Sequence, residues 1–342
     1  MYRIRLIGIL VAMCVPASCS EDSRSDRPED YLDSFNEIWR DFDLHYSYFS
    51  QKNIDWNALK RKYESRLMNE VTYLYFIDNA VAPMLKELKD WHVGLTDKMG
   101  REVRLYTREI EINYNYKNGF FDRYFQGNVT SSPNAVFRFG DVGDAIGYIL
   151  IESWSGEISE DVARFHERMN GYRDFKALII DVRPNNGGNE TFAQEVAGRF
   201  TKSTNVYAYH QFRKGPDHDD FTPLRSRSFS PTGAWQFTAP VALLIGERCM
   251  SSSESFILMM QTLDHVVSIG DTTRGSSGNP REYGLADGTK YRIPSWIAYK
   301  TDQTVLEDHG IAPDIYIPGN GSIINGRDMV LEEAIRVLKD KR

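Results

Sequence analysis

Residues 177–190 read ALIIDVRPNNGGNE, a strand, a turn and the start of a helix in fourteen positions. The apolar run Ala177–Ile180 is short and stops at Asp181, Arg183 and Pro184, which makes it a buried strand rather than a helix. Gly187 and Gly188 then make a turn that opens a helix over about 189–200. Upstream, GYILIE (147–152) is a second buried strand, with a helix near 157–171 between the two. Downstream, VALLIG (241–246) is a third strand, followed by an apolar helix over about 252–264. VVSIG (266–270) is a fourth strand, and 328–340 closes the chain as an amphipathic helix. Buried strands alternating with helices imply an α/β layered core.

The segment before this core reads differently. Leu32, Phe35, Ile38, Trp39 and Phe42 form a helical apolar stripe within 29–50. Asp55 can cap a second helix through about Leu67. Residues 71–88 repeat the pattern, with Pro83 placed to kink it. The spacing thus predicts an N-terminal helical bundle over 29–90 and an α/β core over 91–342.

Residues 1–18 carry Arg3 and Arg5, then an apolar run from Leu6 to Val15 too short for a stable membrane span. Ala17 and Ser18 lead into Cys19, and the segment resembles a bacterial lipoprotein signal with Cys19 as the lipidated first residue. Residues 19–28 then form a polar tether. The expectation is an exported, outer-membrane lipoprotein facing the periplasm or the cell surface. With 41 Lys+Arg against 48 Asp+Glu the chain is acidic, and no basic run can neutralise phosphates, so nucleic acid is excluded as a partner. Three cysteines build no disulfide framework, and neither CxxC nor HExxH is present, so no metal or organic cofactor is expected.

Four segments carry chemistry together. LKDWHVGL (88–95) puts His92 at a helix-to-strand transition. The glycine turn at Gly187 and Gly188 lets backbone approach a ligand, and helix-start N–H groups can face an oxyanion. ERCMSSSESF (247–256) places Ser251 at a strand-to-helix corner; Ser251-x-x-Glu254 is also a capping box. LEDHGIAPDIYI (306–317) brings Glu307 before a Gly-Ile-Ala-Pro-Asp turn.

In order and wording these segments resemble the tail-specific, or C-terminal processing, serine peptidases, whose core is ClpP/crotonase-like. The resemblance implies a serine endopeptidase acting on unfolded or C-terminal protein segments through an acyl-enzyme. The Ser–Lys members place a lysine where this chain has Ser276, in GDTTRGSSG (270–278). The tricorn-like branch uses a histidine and a glutamate instead, which His92 and Glu307 match. The serine that branch has directly before its histidine is Trp91 here, with Asp90 next to it. Residues 93–146 are too few for the PDZ module common in the Ser–Lys members.

The resemblance assigns Ser251 as nucleophile, His92 as general base, and Glu307 as the acid that orients the imidazole. The oxyanion donors are the N–H of Ser252 and of Gly187 or Gly188. On this scheme Ser276→Ala is tolerated far better than His92→Ala. The rival readings are a catalytically inactive binder of peptides or apolar ligands on the same fold, and a crotonase-type CoA enzyme, which the Ser251–Glu254 and Gly-Ile-Ala-Pro-Asp segments fit poorly. Cys249 reads as a packed small residue. The partner is a protein or peptide substrate, with membrane contact only through a lipid anchor; the oligomeric state stays open.

Overall fold

The computed structural model describes residues 28–69, 71–116, 122–156 and 158–341. The signal segment and Cys19 lie outside the described residues.

A seven-stranded sheet forms the centre, in the order Ile315–Tyr316, Val266–Gly270, Val241–Ile245, Ala177–Asp181, Ile146–Ile151, Phe137–Asp141 and Thr130–Ser131. The first five strands run parallel, and the last two add antiparallel at the far edge. Ile146–Ile151, Ala177–Asp181 and Val241–Ile245 are buried at every residue. That follows from their unbroken apolar sequences, since a parallel strand is covered on both faces.

Alternation along the strands sorts their side chains. Leu178, Ile180 and Leu243 join Phe165, Phe192 and Phe256 from the helices Ile158–Gly171, Glu190–Ala197 and Ser252–Gln261. Ala177, Ile179 and Leu244 face Val330, Leu331 and Ala334 of the closing helix Met329–Asp340. The helix Ser252–Gln261 is buried from Ser252 through Met260, which explains its continuous rather than periodic apolar sequence.

The N-terminal segment supplies the helices Pro28–His45 and Trp56–Glu64, the latter capped as expected by Asp55, whose Oδ1 accepts the Ala58 N–H at 2.8 Å. The stretch 73–86 is helical in three pieces, with a π-turn over Phe76–Val81 just before Pro83. A π-turn is a common way for a helix to absorb a local disruption. These helices do not close a core among themselves. Their apolar faces share one cluster with Leu285, Tyr291, Ile293 and Ile297, so the bundle is completed by strands from the C-terminal half.

Two smaller sheets, which the sequence reading did not anticipate, frame the site. Gly94–Thr96 pairs antiparallel with Lys290–Pro294, which pairs with Pro280–Gly284. Asn205–Phe212 lies between Trp296–Tyr299 and Arg225–Phe229.

Candidate active site

Ala177–Asp181 and Val241–Ile245 are adjacent and parallel, so the loops leaving their C-terminal ends run side by side. Ligands favour this end of a parallel sheet. One loop carries Gly187 and Gly188; the other ends at Ser251. A Cβ on Gly187 would stand 2.9 Å from Ser251 Cβ and 2.9 Å from the Met250 carbonyl, and Gly187 has φ +106°. Only glycine permits both the contact and the backbone angle.

Ser251 has φ 57° and ψ −127°, outside the regions an L-residue ordinarily adopts. It caps the helix Ser252–Gln261, and its N–H is held twice: by the Ser276 carbonyl at 2.8 Å and by Glu254 Oε2 at 3.1 Å. The Glu254 bond is the return half of the capping box expected from Ser251-x-x-Glu254. Glu254 is fully buried and also accepts from Thr273 Oγ1 (2.6 Å), Gly275 N–H (2.7 Å) and Ser276 N–H (3.1 Å). Burial pushes its pKa up to about 7 against the pull of these donors.

His92 reaches this corner because Gly94–Thr96 anchors beside Lys290–Pro294. Its Nδ1 stands 2.8 Å from Ser276 Oγ, with both residues buried. Burial lowers the His92 pKa; Asp90 opposes the shift, while Arg292 and Arg274 add to it. Asp90 does not take the place of the serine missing at position 91 by touching the ring. Its carboxylate accepts the His92 backbone N–H at 2.8 Å and the Tyr46 hydroxyl at 3.0 Å. Trp91 packs edge-on against Tyr106 and lies under the Arg274 guanidinium.

Glu307, expected to orient the imidazole, stands one residue along from the side chain that bonds the ring, at Ser277 rather than Ser276. Glu307 is buried, but Oε2 accepts the Ser277 N–H at 3.1 Å and Oε1 lies 3.2 Å from Lys52 Nζ. Burial first, then the Asp90 charge, raise its pKa well above the carboxylate range, while Lys52 opposes them. Ser276, read from the sequence as a tolerant stand-in for a lysine, is the side chain bonded to the ring. The segment 275–277 is thus the hub of the site: it meets Glu254, Ser251, His92 and Glu307, and Tyr48 donates its hydroxyl to the Ser277 carbonyl. Ser276 was detectable in sequence only by its register with the lysine segment. Tyr46, Tyr48 and Lys52 had no local signal, because each acts across more than forty residues of chain.

Around the expected oxyanion donors, Ser252 Oγ donates to the Gly188 carbonyl at 2.7 Å, tying the two loops together. The Gly187 N–H is already given to Asn185 Oδ1 at 2.9 Å. Cys249 is fully buried, with its thiol 3.1 Å from the Val182 carbonyl and its pKa pushed up to about 12 by burial, as suits a packing residue. Asp181 and Arg183 belong to the scaffold. Arg183, wholly buried, bonds Asp181 and reaches Asp328, the cap of the closing helix, while Tyr116 and Tyr148 donate to Asp181.

Comparison with known proteins agrees with this architecture. Residues 145–317 match the peptidase family S41 model, and residues 27–69 match the tricorn protease C1 domain. The chain is 23% identical over 175 residues to the carboxy-terminal processing protease CtpB of Bacillus subtilis (strain 168), covering 51% of this chain and 34% of that protein. The match thus spans about a third of that curated relative's length. Among solved structures, a protein of Parabacteroides merdae assigned as a peptidase superposes with a TM-score of 0.78 at 26% identity, over 91% of this chain and 96% of that one. Mature CPAF shares the fold at a TM-score of 0.68 and 12% identity, over 91% of this chain and 97% of that chain. The family model covers half of the sequence, includes Ser251 and Glu307, and spans the five parallel strands of the central sheet and the loops between them: the chain belongs to peptidase family S41, the tail-specific serine peptidases.

Proposed function

We propose that this chain is a serine endopeptidase that cuts unfolded or C-terminal protein segments, with Ser251 as nucleophile and His92 as general base. The observation that carries the reading is the backbone of Ser251. A non-glycine residue at φ 57° and ψ −127° is strained, and such strain concentrates at functional sites. Here it raises a hydroxyl at the corner where two loops and a helix start converge, beside the loop bearing His92.

In the proposed reaction Ser251 Oγ attacks the peptide carbonyl and His92 takes its proton. A neutral, buried imidazole suits that task. The tautomer that donates Nδ1–H to Ser276 Oγ leaves Nε2 as the basic atom, and it is the one the reaction requires. The tetrahedral oxygen accepts from the N–H of Ser252, at the positive end of the helix, and of Gly188. Gly188 is preferred to Gly187 because the Gly187 N–H is committed to Asn185, while Gly188 already turns its carbonyl toward Ser252. His92 then protonates the leaving amine, and water releases the acyl-enzyme. Glu307 supports the hub at Ser277 rather than the ring.

Labelling with a fluorophosphonate, followed by peptide mapping, tests the reading. Modification of Ser251 together with cleavage of an unfolded protein is the expected result. A folded protein that neither labels nor cleaves is a binding protein instead.

The expected lipid anchor belongs to the same proposal. Among the described residues no helix is long and apolar enough to cross a membrane. Fractionation of cells making Cys19→Ser should move the protein from the membrane to the soluble fraction; unchanged partition refutes the anchor.

A further inference from the structure

We propose that Lys52, carried by the turn between the first two N-terminal helices, is a positioning residue of the active site: its ammonium clamps the Glu307 carboxyl group and so fixes the 275–277 segment that orients His92. This rests on the Ser251–His92 reading above. Lys52 Nζ lies 3.2 Å from Glu307 Oε1 and 2.6 Å from Asp308 Oδ2, and its side chain is only 7% exposed. Lysine side chains on a protein surface ordinarily keep the ammonium in water. This one is turned inward against a buried acid 255 positions away in the chain.

The charges around Glu307 make a cation necessary. Asp90 approaches from the turn before His92, Asp308 from its own loop, and Tyr46 and Tyr48 from the segment after the first helix. His309 lies on the backbone side, with Nδ1 2.8 Å from the Glu307 carbonyl. Two buried carboxylates with no cation between them cannot both stay ionised, and one takes a proton. An ionised Glu307 accepts the Ser277 N–H on one oxygen and faces Lys52 with the other. Tyr48, whose ring lies 6.0 Å from the same ammonium, holds the Ser277 carbonyl. The N-terminal segment therefore grips the Ser277 residue at both its N–H and its carbonyl. The preceding residue, Ser276, bonds the imidazole and receives the Ser251 N–H.

The test uses the full chain and the variants Lys52→Met, Lys52→Arg, Glu307→Gln and the Lys52→Met/Glu307→Gln pair. The readouts are kcat and KM on an unfolded protein substrate, and the rate of fluorophosphonate labelling at Ser251, each against pH. Lys52→Met should lower kcat and the labelling rate about tenfold, with KM unchanged. It should also move the acid limb of both profiles to higher pH, because Glu307 then keeps its proton longer. Lys52→Arg should restore both, and Lys52→Met should add nothing to Glu307→Gln. A Lys52→Met protein with the wild-type profile overturns the assignment, as does a change in KM alone or a loss that Lys52→Arg fails to rescue. If the wild-type chain itself does not label at Ser251, the reading beneath it fails. If wild type labels and Lys52→Met labels equally fast, only the role of Lys52 fails.

Discussion

Ser276 Oγ stands 2.8 Å from His92 Nδ1, so a hydroxyl in the register of a family lysine holds the imidazole proposed as the base. A serine cannot itself serve as a base at neutral pH, but it can accept the Nδ1–H and fix the ring's tautomer and direction.

That contact changes what replacement of Ser276 should do. Ser276→Ala should lower kcat about tenfold, with KM little changed, because the ring loses its orienting partner but not its basicity. His92→Ala should cost at least about a hundredfold. Steady-state kinetics on the two variants decide the matter, and a silent Ser276→Ala would restore the simpler expectation.

Ser251 separates activity from stability. Ser251→Ala should abolish hydrolysis and leave the fold intact. Ser251→Gly should also be inactive but more stable than wild type by about 1–2 kcal/mol, because glycine accepts φ 57° without strain. Thermal or urea melts check this; a less stable Ser251→Gly would mean the strain is not stored there.

Glu254 makes stability depend on pH in a stated direction. Its folded pKa is raised to about 7, above the 4.5 it has when unfolded. Between these values the folded state binds the extra proton, so this group's contribution falls as pH rises through that window. The full effect is roughly 3 kcal/mol. Glu254→Gln should remove it, so the stability difference between variant and wild type should change across that window and be flat outside it. Melts at several pH values measure that difference.

Gly187 should tolerate no side chain. Gly187→Ala places a Cβ 2.9 Å from Ser251 Cβ and forces alanine to φ +106°, a cost of about 1–3 kcal/mol. The displaced neighbour is the proposed nucleophile, so the variant should lose most of its activity; a folded, fully active Gly187→Ala would contradict the close approach.

Arg183 tests the scaffold alone. Arg183→Met leaves Asp181 and Asp328 buried without their cation and should destabilise by about 3–5 kcal/mol. Chemical denaturation gives the figure.

The buried strands and the helices between them could be read directly from the chain, because an apolar run flanked by turn residues carries its structure locally. Ala177–Asp181, Val241–Ile245 and Val266–Gly270 fall within a residue of where their sequences placed them. Ser251 and His92 stood out only through the order of four motifs that resembles a known family, since alone a helix cap and a structural histidine explain them. The two small sheets escaped because their strands are half polar and several pair with partners far along the chain. The side-chain contacts escaped for the same reason. Whether His92 would meet Ser251, Ser276 or Glu307 depends on how Gly94–Thr96 registers against Lys290–Pro294, nearly two hundred positions on. Lys52 is one of many surface-type lysines until the helices dock and bury it against Glu307. Local sequence therefore determined which buried strands and helices form and which polar residues stand at their ends. Only the packed tertiary structure decided their partners, because hydrogen bonds and ion pairs act over a few ångströms and the chain's own order says nothing about distances that short.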